Sequence, residues 1–378
     1  MIVGINALRA RSGGSVTHLI EVLSNYDWNF NSDIEVHVWT YKKLVEKLPK
    51  HKNLKYHSYD FFDKSVLIQL IWEILFFSSE LKKYKCGILL NIDAGKLSRY
   101  SKMVTMSRDM LSYEPGELSR FRLSKAKIRL ILLKFVQNNA LKASNGVIFL
   151  THYASEIIQK STGKLLDVAY IPHGVSRDFD NESKENIIDV EGTVKCLYVS
   201  NIAPYKHHWN VVRAVKLLRD RGYKINLTIT GGGHVDSINH SQKKLDIAIE
   251  ECDPELRFIN LLGFICHTDL PDLLKSTDIF IFASSCENMP NTLVEAMKSK
   301  LPIACSNRGP MPEILGEGGV YFNPESYTSI ADSIEEYLRN PSQLYLKAKM
   351  AYELSLKYTW NECATKTFNY LRYIYIKP

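Results

Sequence analysis

The second half of the chain alternates two periods of apolar residues. VKCLYVS (194–200) is apolar and β-branched and reads as a strand. The next segment, 208–222, changes to helical spacing, with Val211, Val212, Val215 and Leu218 on one face, and stops at Gly222. INLTIT (225–230) is again a strand and runs into Gly231-Gly232-Gly233. A polar helix over 240–251 follows, then LRFINLLG, a short helix around DLPDLLK, the strand DIFIFASS (278–285), a helix after Pro290, and LPIACS. Strands alternating with helices predict a parallel, doubly wound sheet with helices on both faces. The first half has the same rhythm. IVGINAL is a strand, Gly13-Gly14-Ser15 opens the helix VTHLIEVLSNY, and EVHVWT, GILLNI, KMVTMS and GVIFL are further strands. The fold class is therefore α/β, with two doubly wound domains. The expected boundaries are 1–180, a polar linker at 181–193, and 194–356. An aromatic-rich helix, 357–378, is long enough to pack back across the domain interface. The longest apolar run, VLIQLIWEILFF (66–77), is too short to span a bilayer and predicts a buried helix.

Composition narrows the class. A chain of 378 residues suits two domains with separate cores. Its seven cysteines are scattered and form no C-x-x-C pair, and no H-E-x-x-H spacing occurs. This predicts a reduced, cytoplasmic protein with no metal and no disulfide framework. The opening MIVGINAL reads as a first strand, not as a signal segment. Charge is uneven. Residues 1–180 hold 26 Lys and Arg against 17 Asp and Glu, or +9, and the remainder is near neutral at −2. An anionic partner should therefore meet the first half.

The candidate chemistry centres on CENMPNTLVEAM (286–297), which follows the strand DIFIFASS. Ligands of open α/β sheets bind beyond the carboxyl ends of the strands. Asn288 is a good helix cap and Pro290 suits a first helical turn. The free amides near Asn291 and Thr292 then carry the positive end of the helix dipole and suit a phosphate. Glu295, one turn on, could accept hydrogen bonds from ribose hydroxyls, and Glu287 could face a sugar ring. A capped helix with two solvent-facing glutamates would have the same local sequence.

Wider order decides between them. The segments YVSNIAPYKHHWNVVRAV, ITGGG, LLGFI, IFIFASSCENMPNTLVEAM, LPIACSNRGPMPEIL and GGVYFNPES occur in succession. In this order and spacing they resemble the retaining glycosyltransferases of the GT-B fold, family 4. The likeness covers most of the chain and is strongest from about 194 to 325. It implies two Rossmann-like domains facing a cleft, a nucleotide-sugar donor such as a UDP- or GDP-sugar, and a glycan or lipid-linked glycan acceptor. It further implies that Glu287 contacts the donor sugar, Glu295 holds the ribose, and the Asn291 and Thr292 amides meet the pyrophosphate. Lys206 would grip the departing diphosphate, and Gly232 would lie on the donor side. Gly13 and Gly14 resemble the first-domain glycine loop, with a simple tight turn as the alternative. His173, in IPHGV, matches a turn near the cleft, where it would fix the turn.

Two positions depart from that pattern. Asn201 stands where relatives carry arginine, so the donor grip loses a charge that Arg108 or Arg308 could restore. Ser107-Arg108-Asp109 replaces a common histidine. Asp109 could then be an acceptor-side base or an orienting group and Arg108 a phosphate ligand, or the two could form a salt-bridged loop.

RFRLSKAKIRLILLK (120–134) holds six basic residues and no acidic one. Such a helix could dock on anionic lipid, or it could be partly buried with its lysines reaching to water. No nucleic-acid module is recognisable. The expectation is thus a glycosyltransferase transferring to a growing surface glycan, with retention by front-face displacement and no metal. It would be peripheral on the cytoplasmic membrane face. The rivals are an epimerase or phosphorylase of the same fold, and a catalytically weak sugar-nucleotide-binding scaffold.

Overall fold

The structure is a computed structural model, and it describes every residue except 12, 96–99, 122–123, 181–191 and 233–237. Most of the expected linker, part of the basic stretch and Gly233 thus lie outside the described residues. The chain forms two compact units. One comprises Met1–Tyr113, Leu123–Gly174 and Tyr358–Pro378, the other Glu114–Arg122 and Val175–Lys357.

The first unit holds a seven-stranded parallel sheet in the order β3-β2-β1-β4-β5-β6-β7. Its strands are β1 (Ile2–Asn6), β2 (Glu35–Trp39), β3 (Leu54–His57), β4 (Ile88–Asn91), β5 (Met103–Met106), β6 (Gly146–Phe149) and β7 (Val168–Tyr170). β1, β4, β5 and β6 are apolar and buried almost throughout, as strands covered on both faces must be. One face is covered by the C-terminal helix Trp360–Ile376, which also packs on the helix Gly14–Asn25. The approach is close: a Cβ at Gly146 would fall 2.6 Å from the Tyr370 hydroxyl. The other face carries a core of Phe62, Phe77, Leu81, Leu89 and Met103.

The second unit holds a six-stranded parallel sheet in the order β10-β9-β8-β11-β12-β13. Here the strands are β8 (Val194–Val199), β9 (Ile225–Thr230), β10 (Ile259–Gly263), β11 (Ile279–Phe282), β12 (Ile303–Ser306) and β13 (Val320–Phe322). Both orders reverse beside the first strand of the sheet, which is the doubly wound arrangement the alternation predicts.

Two expectations are corrected. The 66–77 run does not form a buried helix. The helix Val66–Leu75 turns its polar residues inward, with Gln69 and Glu73 only 2% and 1% exposed, and its aliphatic residues outward. The reason is tertiary: Glu73 accepts from Asn6 Nδ2 at 3.0 Å and pairs with Arg9 at 3.4 Å, while Gln69 Nε2 donates to the Leu8 carbonyl at 2.8 Å. The basic stretch is likewise not one helix from 120 to 134. Glu117–Phe121 forms a 3-10 turn that belongs to the second unit, and the helix Lys125–Lys142 starts at a Ser124 cap. Strands β3, β7 and β13 are additions to the sequence reading, three or four residues each at or next to a sheet edge.

Candidate active site

The site of the second unit is assembled by chain reversals at the carboxyl edge of its sheet. Ser200-Asn201 follow β8, Gly231-Gly232 follow β9, Phe264 follows β10, Ser284–Glu287 follow β11 and Asn307–Gly309 follow β12. Gly231 has φ +139°, and any Cβ there would collide with the Ser200 carbonyl, so the β8 and β9 turns can touch only through glycine. Gly232 lies beside the exposed ring of Phe264, and Asn201 is half-buried next to Gly231.

Lys206 and Glu287 form an ion pair through Nζ and Oε1, with side chains only 10% and 16% exposed. Lys206 ends a 3-10 turn, Pro204–Lys206, whose last carbonyl accepts from the Tyr198 hydroxyl at 2.6 Å. Its ammonium also lies over the Tyr205 and Phe282 rings, 5.5 Å from each centroid. The chain then turns through left-handed His207, φ 48°, into the helix His208–Asp220. That left-handed corner keeps Lys206 outside the helix.

The helix Asn291–Lys298 begins where it was expected, but Pro290 is its N-cap residue, not its first helical one, and no side chain caps it. The amides of Asn291 and Thr292 are therefore left without intrahelical or capping acceptors. Glu295 is buried; its Oε1 meets His267 Nε2 at 2.8 Å and its Oε2 has no partner. Gly309, at φ +59°, brings the 307–309 turn against the Glu287 backbone, so Arg308 is exposed on a loop beside that residue.

Beneath this lies a set of residues that the sequence did not disclose. Ser285 Oγ donates to Glu117 Oε1 at 2.7 Å and meets His207 Nε2 at 2.9 Å. One hydroxyl proton cannot serve both, so His207 donates from Nε2. Burial, then nearby Arg120, lowers its pKa to about 4. Glu117 is itself held by Arg120 at 2.8 Å, and Arg120 reaches on to Glu325 at 2.6 Å. These residues are far apart in sequence, and only the placement of the 3-10 turn 117–121 in the second unit unites them.

The first unit has its own carboxyl edge. Gly13, at φ 61°, is the N-cap of the helix that starts at Gly14, and a Cβ there would meet nothing within 4 Å. His173 is buried, with Nδ1 2.9 Å from Nδ1 of buried His18. Burial first, then Arg108, holds both imidazoles well below their ordinary pKa. Gly174 lies flush on the Trp360 backbone, which fixes the turn carrying His173. Arg108 Nη1 is buried without a partner, and burial lowers that guanidinium to about 10. Asp109 accepts from the Leu111 amide at 3.0 Å and from Gln137 at 3.4 Å. Burial raises its pKa.

Comparison with known proteins places this geometry. Residues 179–353 match the family model described as glycosyl transferases group 1. That match covers most of the second unit, which is therefore similar to the group 1 glycosyl transferases. The O-antigen chain mannosyltransferase B of Escherichia coli is 28% identical over 112 residues, which is 30% of this chain and 29% of that protein's length. Among solved structures, the sucrose-phosphate synthase of Thermosynechococcus elongatus superposes with a TM-score of 0.77 at 14% identity, over 99% of both chains. Alr3699/HepE of Anabaena, in complex with UDP and glucose, gives 0.70 at 15% identity over 97% of this chain and 99% of that one. At such identities the likeness is one of fold, and the fold is GT-B.

Proposed function

We propose that this glycosyltransferase moves a hexosyl group from a UDP- or GDP-sugar to a growing glycan, with retention at the anomeric carbon. The observation that carries the reading is the Lys206–Glu287 pair beside the uncapped start of the 291–298 helix. A lysine ammonium has three donors, so Lys206 can keep Glu287 and still reach a phosphate oxygen. The diphosphate would lie on the Asn291 and Thr292 amides and on Lys206, where charge growing on the leaving group is stabilised by a fixed cation. Glu295, pinned by His267 through one oxygen, would offer the other to a ribose hydroxyl. Glu287 would face the sugar as its anomeric carbon becomes electron-poor.

Asn201 brings no charge to this grip, and Arg308 on the adjacent loop would supply one. Front-face displacement fits best, because Glu287 is tied to Lys206, and the departing phosphate would then help to deprotonate the incoming hydroxyl. In the first unit, Gly13, Gly14, Arg108 and His173 would line the acceptor side, and Asp109, with both oxygens engaged, would order the turn that bears Arg108.

The O-antigen relative and the UDP-bound neighbour support a surface-glycan product and a nucleotide-sugar donor. A lipid-linked acceptor on the cytoplasmic membrane face would agree with the basic first half. Among the described residues no helix is long and apolar enough to cross a membrane. A panel of UDP-, GDP- and dTDP-sugars scored by thermal shift identifies the donor, because a ligand bound to the native state raises its stability. Incubation with that donor alone then separates a transferase from an epimerase. Binding with no turnover on any glycan acceptor would leave only a scaffold.

A further inference from the structure

The inverted helix Val66–Leu75 bears an uncharged, apolar outer surface. Val66, Leu67, Ile68 and Ile71 are exposed on its first turns and Ile74 and Leu75 on its last, with Leu67 at 67%. Glu73, its one charged residue, is buried. Anchoring by Gln69 and Glu73 sets the rotation of the helix, so this outward face is imposed by buried hydrogen bonds.

A second exposed apolar strip, Ile128, Ile131, Leu132 and Phe135, lies on the helix Lys125–Lys142. This 18-residue helix is about 27 Å long. The four-residue strands β5 and β6 that it connects span about 13 Å. Its buried residues begin at Gln137, so the overhanging part is the N-terminal one, with Lys125, Lys127, Arg129 and Lys134. No acidic residue occurs in that helix.

Both helices lie on one face of the first sheet. Leu81 packs where Gly4 lacks a side chain, and the register aligns Gly4 with Leu89 and Leu89 with Met103, the face of the 62–103 core. The C-terminal helix packs on the alternate face, at Gly146, whose register partner is Val104. The sheet grows from β1 in both directions, so right-handed crossovers send the 14–25 and 125–142 helices to opposite faces. The 14–25 helix packs with the C-terminal helix, which leaves the 125–142 helix on the same face as 66–75.

We propose that this face docks on an anionic membrane, with the 66–75 helix entering the boundary between headgroups and acyl chains and the cations of the 125–142 helix holding lipid phosphates. A greasy, uncharged face beside cations without acids matches that boundary. A second copy fits less well, because a two-fold contact would bring two copies of this acid-free basic helix into one interface. The proposal deepens the membrane part of the function proposed above and is independent of the sugar chemistry.

The test is co-sedimentation with vesicles of phosphatidylglycerol and phosphatidylcholine, or of phosphatidylcholine alone, at low and high salt. The wild type should bind the anionic vesicles. Ile71→Asp with Ile74→Asp should weaken binding at least tenfold, with a melting transition kept by circular dichroism. Leu67→Ser with Leu75→Ser is the milder pair if the first does not fold. Lys125→Ser, Lys127→Ser and Arg129→Ser together should remove the salt-sensitive part of binding. A wild type that ignores all vesicles ends the membrane reading as a whole. A wild type that binds while both aliphatic pairs bind equally well removes the 66–75 helix and leaves docking to the basic helix alone. Light scattering that shows a wild-type dimer, made monomeric by the aspartates, would assign the face to a second copy instead and overturn the proposal.

Discussion

The carboxyl edges of the two sheets differ in how they handle charge. The edge of the second unit concentrates it: Lys206 against Glu287, and Arg120 between Glu117 and Glu325, all partly or wholly shielded from water. The edge of the first also holds charge, in the Arg9–Glu73 pair and buried Arg108, but it is linked mainly by neutral hydrogen-bonding groups. Asn6 donates to Glu73 and toward Asn91, Asn91 to Thr105, and two imidazoles share one hydrogen bond. Fixed charge suits a diphosphate leaving group, and neutral hydrogen-bonding groups suit sugar hydroxyls. The difference teaches that two sheets of one topology are specialised by the residues placed on the turns after their strands.

The comparison breaks most readily at Glu287. Glu287→Gln should lower kcat by about 10³-fold, or about 4 kcal/mol, while the thermal shift by nucleotide diphosphate persists. Full activity in this variant, measured as radiolabelled sugar transfer, would take Glu287 out of the chemistry. Lys206→Ala should cost about 10²-fold in turnover and also reduce the nucleotide-induced shift, since its cation is assigned to the diphosphate. Unchanged kinetics would leave the phosphates to backbone amides alone.

Acid should act on both edges through buried neutral histidines. The folded-state pKa of His207 is about 4 and that of His208 about 3, both lowered first by burial, against 6.5 when free. Below pH 6.5 the unfolded chain binds more protons than the folded one. This contribution to stability is therefore complete above 6.5 and is lost progressively as pH falls toward the folded values. At pH 5 each such histidine costs about 2 kcal/mol. Urea midpoints at pH 7 and pH 5 measure the loss, and His207→Gln should shrink it. An equal loss in that variant would place the titrating groups elsewhere, with His18 and His173 the next to replace.

The smallest expected effect is at Arg108. Arg108→Gln should raise the acceptor KM about tenfold and leave the nucleotide-induced shift as it was, because its free Nη1 is assigned to the acceptor side. A lost nucleotide shift would instead make Arg108 part of the donor grip and erase the contrast between the two edges.

Much of the second unit was readable from local pattern. β8, β9, β11 and β12, the helix after Pro290, and the proximity of Glu287 to Asn291 follow from residues adjacent in sequence, whose spacing sets their geometry. Edge strands such as β7 and β13 were not, since three residues carry too little periodicity to register. Nor was the exposure of Leu67 and Ile71. An apolar run with two polar interruptions reads as a buried helix until the interruptions find buried partners.

Periodicity, turn chemistry and motif order are local quantities, and they sufficed for two parallel sheets and for the elements that bear Lys206, Glu287 and Glu295. Distant pairings are of another kind. Glu117 reaches Ser285 across 168 positions and Glu73 reaches Asn6 across 67, each through a hydrogen bond that exists only once the sheets have formed. A buried carboxylate must be paired or neutralised. The rotation of the 66–75 helix and the membership of the 117–121 turn in the second unit were therefore decided by where folding placed Asn6, Arg9, Ser285 and Arg120, and no window of the sequence contains those partners together.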